Sequence, residues 1–126
     1  MTEDALCQSL DAFEQTSAQM KAAFEAQSEN WKLDLIRLRK IQASQLSALS
    51  ESLAGWSHDR LDAAAGREIT ALFIAMRRAI SMTQTIWPLS LIKDPASLEA
   101  YTLASRQTIE ASEAFFAWMR LRLQRP

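Results

Sequence analysis

Apolar residues recur every three or four positions through the first half of the chain, which is the spacing of one helix face. No glycine or proline interrupts this pattern between Asp4 and Leu53, so it predicts one continuous helix over residues 4–54. A helix of about 50 residues is roughly 75 Å long and needs a partner along its length. The polar segment 27–30 offers a break, and two shorter helices are the alternative. The apolar positions are Leu6, Leu10, Phe13, Met20, Phe24, Trp31, Leu35, Leu38, Ile41, Leu46, Leu49, Leu53 and Trp56.

Two further helices follow. Gly55 predicts a turn, with Ser57 or Asp59 as the cap of a second helix over residues 57–87, which Pro88 ends. The connection after Pro88 is apolar, so we expect it to pack against the helices. Asp94 then predicts a cap and Pro95 the first position of a third helix over residues 95–124. The apolar positions of the last two helices are Leu61, Ala65, Ile69, Leu72, Phe73, Met76, Ile80, Trp87, Leu98, Tyr101, Ile109, Phe116, Met119 and Leu123.

These elements predict an all-α fold. Residues 1–126 form a single helical domain in this interpretation, because a chain of 126 residues has room for one core. Two shorter helices laid end to end match the long one, which favours an extended helical hairpin with coiled-coil-like packing. If the first helix folds back near Asn30, a bundle of four amphipathic helices forms instead. A long stripe with surplus aromatic residues also predicts a homo-oligomer.

The composition limits the partners and the cell compartment that we expect for the protein. Fourteen basic and fifteen acidic residues give a formal charge of −1, so the chain as a whole does not steer toward nucleic acid. The one cysteine, Cys7, cannot form an internal disulfide, and no stretch resembles a secretory signal. We therefore expect a cytoplasmic protein. No apolar run approaches the roughly 20 residues of a transmembrane helix.

Candidate chemistry is sparse. His58 has no second histidine or Glu-x-x-His neighbour with which to hold a metal. Ser57, His58 and Asp59 are consecutive, and consecutive helical residues point apart, so they predict a solvated turn and no catalytic triad. Cys7 lacks a basic neighbour that would lower its pKa. The sequence therefore predicts no enzyme, no metal and no cofactor.

Two patterns point to binding surfaces. The bases cluster at Arg37, Arg39 and Lys40 and at Arg120, Arg122 and Arg125. Bases near helix C-termini satisfy the helix dipole, and the alternative is a basic patch for phospholipid headgroups or another anion. The four tryptophans fall near the possible break at 27–30, the predicted turn and the ends of the last two predicted helices. Aromatic residues there serve as core, as oligomer contacts or as an apolar binding surface. The aromatic candidates are Phe13, Phe24, Trp31, Trp56, Trp87, Phe115, Phe116 and Trp118.

The last two predicted helices resemble a known family. The segment Trp56–Arg60 opens one, Ile92–Glu99 opens the other, and an amphipathic run follows through Phe115 and Trp118. This arrangement is similar to that of the phasins, small bacterial proteins that coat polyhydroxyalkanoate granules. The resemblance covers roughly residues 13–120 and implies helices whose apolar faces adsorb to a hydrophobic granule surface, with no catalytic residue. The alternative is a helical adaptor, inhibitor or chaperone that binds a partner protein through its apolar stripe.

Overall fold

The structure, a computed structural model, describes residues 2–123 and is built from four α-helices. They are α1 (Thr2–Ala26), α2 (Trp31–Arg60), α3 (Ala63–Ile86) and α4 (Pro95–Leu123), with one 3₁₀ turn at Leu89–Leu91. No strand is found in this part of the chain, which confirms the predicted all-α class. The chain divides into two compact units, Met1–Asp62 and Ala63–Pro126. We refer to α1 with α2 as the first hairpin and to α3 with α4 as the second hairpin.

The prediction of one continuous helix over residues 4–54 is wrong. α1 ends at Ala26, and Gln27 takes a left-handed backbone conformation with φ of 45°. The Gln27 N–H bonds the Ala23 carbonyl at 3.1 Å, which closes the last turn, and α2 starts again at Trp31. The helix therefore folds back at the polar segment 27–30, which was the alternative, and α1 packs antiparallel on α2.

The predicted turn at Gly55 is also wrong. α2 passes through Gly55 and ends at Arg60, because Leu53 and Trp56 on either side are both buried and hold this turn against the core. Leu61 is extended and its N–H bonds the Ser57 carbonyl at 3.1 Å. Ser57, His58 and Asp59 thus lie in the last turns of α2 and do not cap α3.

The core of the first hairpin follows a seven-residue repeat. Leu35, Gln42, Leu49 and Trp56 of α2 are all buried, and Leu6, Leu10 and Phe13 of α1 have no exposed surface. Gln42 holds the position that we had expected Ile41 to take, and Ile41 is 38% exposed. A seam that repeats every seven residues is typical of coiled-coil packing.

The second hairpin is held by apolar and hydroxyl contacts. Phe73 of α3 packs on Phe115 of α4, with ring centroids 5.6 Å apart. The hydroxyl oxygens of Thr83 and Thr108 are 2.9 Å apart, and the Thr108 hydroxyl donates to the Ala79 carbonyl at 3.2 Å. The contact that lies later in α3 lies earlier in α4, so α3 and α4 are antiparallel.

The connection between α3 and α4 packs as predicted. Leu89 and Ile92 are buried, which confirms that this apolar segment lies against the helices. The predicted cap of α4 is also confirmed, because the Ser97 N–H donates to Asp94 Oδ1 at 2.8 Å. The Ser97 hydroxyl in turn accepts the N–H groups of Lys93 and Asp94 at 2.9 and 3.1 Å. This reciprocal arrangement fixes the start of α4. Ile109 of α4 was expected in the core and is 36% exposed, and Ser112 is buried instead.

Candidate interaction surfaces

The polar residues that the sequence singles out for possible chemistry lie at separate places in the described chain. Residues 2–123 contain no cluster of three or more histidine, cysteine, aspartate or glutamate side chains that could hold a metal ion. His58 and Asp59 are exposed on α2, and Cys7 is half-buried on α1. The pKa of Asp94 is lowered, chiefly because the Ser97 N–H donates to its carboxylate. That shift belongs to the cap of α4, so it marks a structural role.

The aromatic candidates divide into two groups. Four of them lie in the core and four are half-buried, so none is a fully exposed side chain. The buried group is Phe13, Trp56, Phe115 and Phe116, and the half-buried group is Phe24, Trp31, Trp87 and Trp118. The buried group reaches an external surface only if its hairpin opens.

Two of the half-buried tryptophans lie at the connections of the hairpins, one in each hairpin. Trp31 packs edge-to-face on Phe24 across the turn of the first hairpin, with ring centroids 5.7 Å apart. Trp87 packs on Tyr101 across the connection of the second hairpin, at 6.2 Å. Aromatic pairs of this geometry contribute about 0.5–1.5 kcal/mol beyond the area they bury. The sequence placed these tryptophans near helix ends, and the structure gives them the role of closing each hairpin.

The structure divides the predicted basic residues between the two hairpins. Arg37 and Lys40 are exposed on the outer face of α2, whereas Arg39 is half-buried with its Nε atom shielded from water. Arg120 and Arg122 are exposed on the last turn of α4. Their guanidinium carbons lie 6.0 Å from the Phe116 ring centroid and 4.9 Å from that of Trp118. Arg125 lies outside the described residues.

Apolar side chains surround the basic pair on α2. We call this group the α2 patch, and it consists of Leu33, Ile36, Arg37, Lys40 and Ile41. The exposed fractions of its apolar members are 65% for Leu33, 43% for Ile36 and 38% for Ile41. Leu33 lies opposite the buried seam, about 200° around the helix from Leu35, whereas Ile36 and Ile41 each lie about 100° from a seam residue. The α2 patch therefore presents apolar and cationic groups to the surroundings together.

A second surface of this kind lies on α3, outside the residues that the sequence pattern indicates for binding. Ile74, Arg78, Met82 and Ile86 are spaced by four residues and form one continuous ridge, which we call the α3 ridge. Ile74, Met82 and Ile86 are 47%, 55% and 57% exposed, and Arg78 is exposed between them. The signal in the sequence is a stretch from residue 69 to residue 93 that contains no aspartate or glutamate.

Comparisons with known proteins add no relative. No family model, no curated protein and no solved structure matches this chain. Within residues 2–123, no helix combines the length and the apolar character that crossing a bilayer requires. Inferences about function therefore depend on the surfaces described above.

Proposed function

We propose that this chain is a non-catalytic amphipathic helical protein that adsorbs to hydrophobic surfaces. In this proposal it coats storage granules of bacteria, as the resemblance to phasins implies. A cytoplasmic location at the granule surface and assembly into a homo-oligomer are parts of the same proposal. The buried faces of the hairpins maintain the fold, and the outward apolar side chains supply the contact with the granule.

The observation that carries the proposal is the placement of large apolar side chains on faces that point away from the core. Leu33 and Ile36 on α2, and Leu103 and Leu121 on α4, are between 43% and 80% exposed. Single exposed apolar residues are common on soluble proteins. Here they recur on outer faces of helices and lie beside charged groups, an arrangement that suits a boundary between an apolar phase and water.

A droplet-binding experiment tests the proposal. Purified full-length protein is mixed with polyester or hydrocarbon droplets at 0.1 M and 1 M salt, and the bound fraction is measured after flotation. Apolar adsorption persists at both concentrations, because the Debye length falls from about 10 Å to about 3 Å over this range and only charge-led binding is screened. We expect binding at both salt concentrations.

A matched pair of variants shows whether the exposed apolar groups cause this binding. Leu33→Ser with Leu121→Ser removes two exposed leucines, and Ala48→Ser with Ala117→Ser introduces the same hydroxyl groups at exposed alanines of the same helices without removing a large apolar side chain. Covering the exposed part of one leucine contributes about tenfold in affinity. We expect the leucine variant to bind at least tenfold more weakly and the alanine variant to bind as the unchanged protein does.

The outcome also separates the two candidate functions. If the protein stays in the aqueous phase at every salt concentration, the granule-coat proposal is rejected in favour of an adaptor, inhibitor or chaperone that binds a protein. If the leucine and alanine variants bind droplets equally, the outward apolar side chains are not the contact surface.

A further inference from the structure

The α3 ridge combines apolar contact with positive charge. Ile74, Arg78, Met82 and Ile86 extend over about 18 Å of helix at 1.5 Å per residue. Arg77 precedes Arg78 and is exposed on the neighbouring flank of the helix. Ile69, Phe73, Met76 and Ile80 form the opposite face of α3 and are buried. The fold of the second hairpin thus uses one face of α3 and leaves the ridge uncovered.

The charge around the ridge is uncompensated. No aspartate or glutamate occurs between Glu68 and Asp94, and within the described residues neither Arg77 nor Arg78 forms an ion pair. The packed helix α4 contains Glu99, Glu110 and Glu113, all exposed. Glu110 lies about 200° around α4 from the core-facing Thr108 and Ser112, so it points away from α3. Glu113 lies on a flank of α4, about 100° from Ser112, and forms no ion pair with either arginine in the described residues. The two arginines are therefore available to an external anion.

The second unit as a whole is also positively charged. Residues 63–126 contain eight basic and five acidic residues, a formal charge of +3, whereas residues 1–62 contain six basic and ten acidic residues, a formal charge of −4. The net charge of −1 for the full chain conceals this division. An anionic surface is attracted to the second unit and repelled by the first.

The first hairpin of a second copy is a poor occupant of the ridge. The outer face of α1 is acidic and carries Asp4, Gln8, Asp11, Gln15 and Gln19, so it offers charge to the arginines but no large apolar side chain to cover Ile74, Met82 and Ile86. The α2 patch has apolar groups, but Arg37 and Lys40 repel a cationic ridge. Neither outer face of the first hairpin complements both properties.

We propose that the α3 ridge docks on an anionic lipid surface. Ile74, Met82 and Ile86 enter the boundary of the acyl chains, while Arg77 and Arg78 extend their charged ends to the lipid phosphates. Such a surface is apolar and anionic at the same time, which matches the apolar and cationic side chains of the ridge. This inference rests on the proposed adsorption to hydrophobic surfaces. It adds that the protein prefers hydrophobic bodies bounded by anionic phospholipid.

Vesicle flotation tests this selectivity. The full-length protein is incubated at 0.1 M salt with vesicles of phosphatidylcholine alone and with vesicles in which a third of the lipid is phosphatidylglycerol. An arginine close to an anionic surface contributes about fivefold in affinity, so two contribute about 30-fold. We expect that preference for the anionic vesicles, and we expect Arg77→Gln with Arg78→Gln to abolish it.

Two control variants locate the effect on α3. Arg106→Gln changes an exposed arginine on the outer face of α4, next to Glu110, and Arg37→Gln with Lys40→Gln changes the basic pair of the α2 patch. For both controls, we expect the affinity for anionic vesicles to stay at least about fivefold higher than the affinity for neutral vesicles. All substituted side chains are exposed, and circular dichroism confirms that each variant keeps its helical content.

The ridge is also tested through its apolar members. Ile74→Ser with Met82→Ser leaves the charge intact, and we expect it to lower binding to anionic vesicles about tenfold or more. The assignment is overturned if neutral and anionic vesicles bind equally, or if either control variant loses as much preference as Arg77→Gln with Arg78→Gln. It is also overturned if light scattering shows self-association that Ile74→Ser with Met82→Ser abolishes, because a second copy then covers the ridge.

These outcomes are distinct from failure of the proposed function. Binding to neutral droplets with no anionic preference rejects the lipid inference alone. Absence of binding to neutral droplets, with full preference for anionic vesicles, rejects the granule coat and leaves the α3 ridge as a lipid-binding surface.

Discussion

A pair of threonine hydroxyls lies between α3 and α4, and its coupling energy can be predicted from the structure. Each hydroxyl has one proton. The Thr108 hydroxyl donates to the Ala79 carbonyl at 3.2 Å, so in the 2.9 Å contact with Thr83 the donor must be Thr83. Thr108 therefore takes part in two hydrogen bonds and Thr83 in one. Replacement by valine keeps the shape and the β-branch of each side chain and removes only the hydroxyl chemistry.

The two single substitutions are expected to differ in cost. Thr83→Val removes one partly buried hydrogen bond, about 1 kcal/mol, and leaves Thr108 bonded to Ala79. Thr108→Val removes both bonds and costs about 1.5 kcal/mol, because the Thr83 hydroxyl regains part of the loss by bonding the carbonyl four residues earlier, which is that of Ala79. The double variant lacks this compensation and costs about 2 kcal/mol. The coupling energy of the cycle is therefore about 0.5 kcal/mol.

Hydrogen exchange followed by mass spectrometry measures this cycle within the second hairpin. A change of 1 kcal/mol in the free energy of opening alters the exchange rate of α3 and α4 amides about fivefold, while peptides of α1 and α2 serve as internal references. Thr85→Val is the matched control, since Thr85 is exposed on the same helix, and we expect a change within about 0.5 kcal/mol. If the two single costs add in the double variant, the hydroxyls do not interact and the donor assignment fails.

Three further predictions concern the reversal after α1, a buried oxygen atom on α2 and the cap of α4. Gln27→Gly is expected to stabilise the first hairpin by about 0.5–1 kcal/mol in urea unfolding, because glycine adopts a φ of 45° without the penalty that a Cβ atom imposes; a loss of stability contradicts this account of the turn. Gln45→Met is expected to raise stability by about 1 kcal/mol in the same assay, since the buried Gln45 Oε1 has no hydrogen-bond partner in the described structure, and an unchanged midpoint would show that this oxygen is satisfied in solution. The carboxylate of Asp94 stabilises the start of α4 above its unfolded pKa, so this contribution is lost as the pH falls through the folded pKa, which lies below the ordinary value of 3.8; a nuclear magnetic resonance titration that places the pKa of Asp94 above 3.8 would refute it.

The helical class could be predicted because no segment alternates with a two-residue period, but the reversal after α1 could be predicted only as an alternative. Strong signals mark the end of α3 at Pro88 and the start of α4 at Asp94 and Pro95, and the structure follows them. The reversal after α1 has neither glycine nor proline. It depends on a glutamine in a left-handed conformation, which any sequence rule assigns to glycine or asparagine first. Conversely, Gly55 carried a turn signal that two buried neighbours override.

The surfaces were harder to predict than the fold, because a binding face and a core face can have the same composition. Each of Phe13, Phe115 and Phe116 looked equally suited to the core and to an external contact, and all three are buried. The α3 ridge contains aliphatic residues and arginines that a search for aromatic clusters does not detect. Its only mark in the sequence is the absence of acidic residues from residue 69 to residue 93. These residues can be assigned to a surface only when it is known which face of the helix is buried.

Which face of a helix is buried depends in turn on residues that are not hydrophobic. In α2 the seven-residue seam passes through Gln42 and leaves Ile41 exposed, and in α4 a similar seam passes through Thr108 and Ser112 and leaves Ile109 exposed. Selecting the bulkiest apolar residue at each step shifts the phase by about 100° per residue and assigns the wrong side of the helix to water. The hydroxyl of Thr108 can occupy a seam position because it is hydrogen-bonded there, so the cost of burying it is largely offset. The polar seam and the exposed isoleucines thus have one cause: the spacing of the packing positions, more than the hydrophobicity of any single residue, decides which side chains are available for binding.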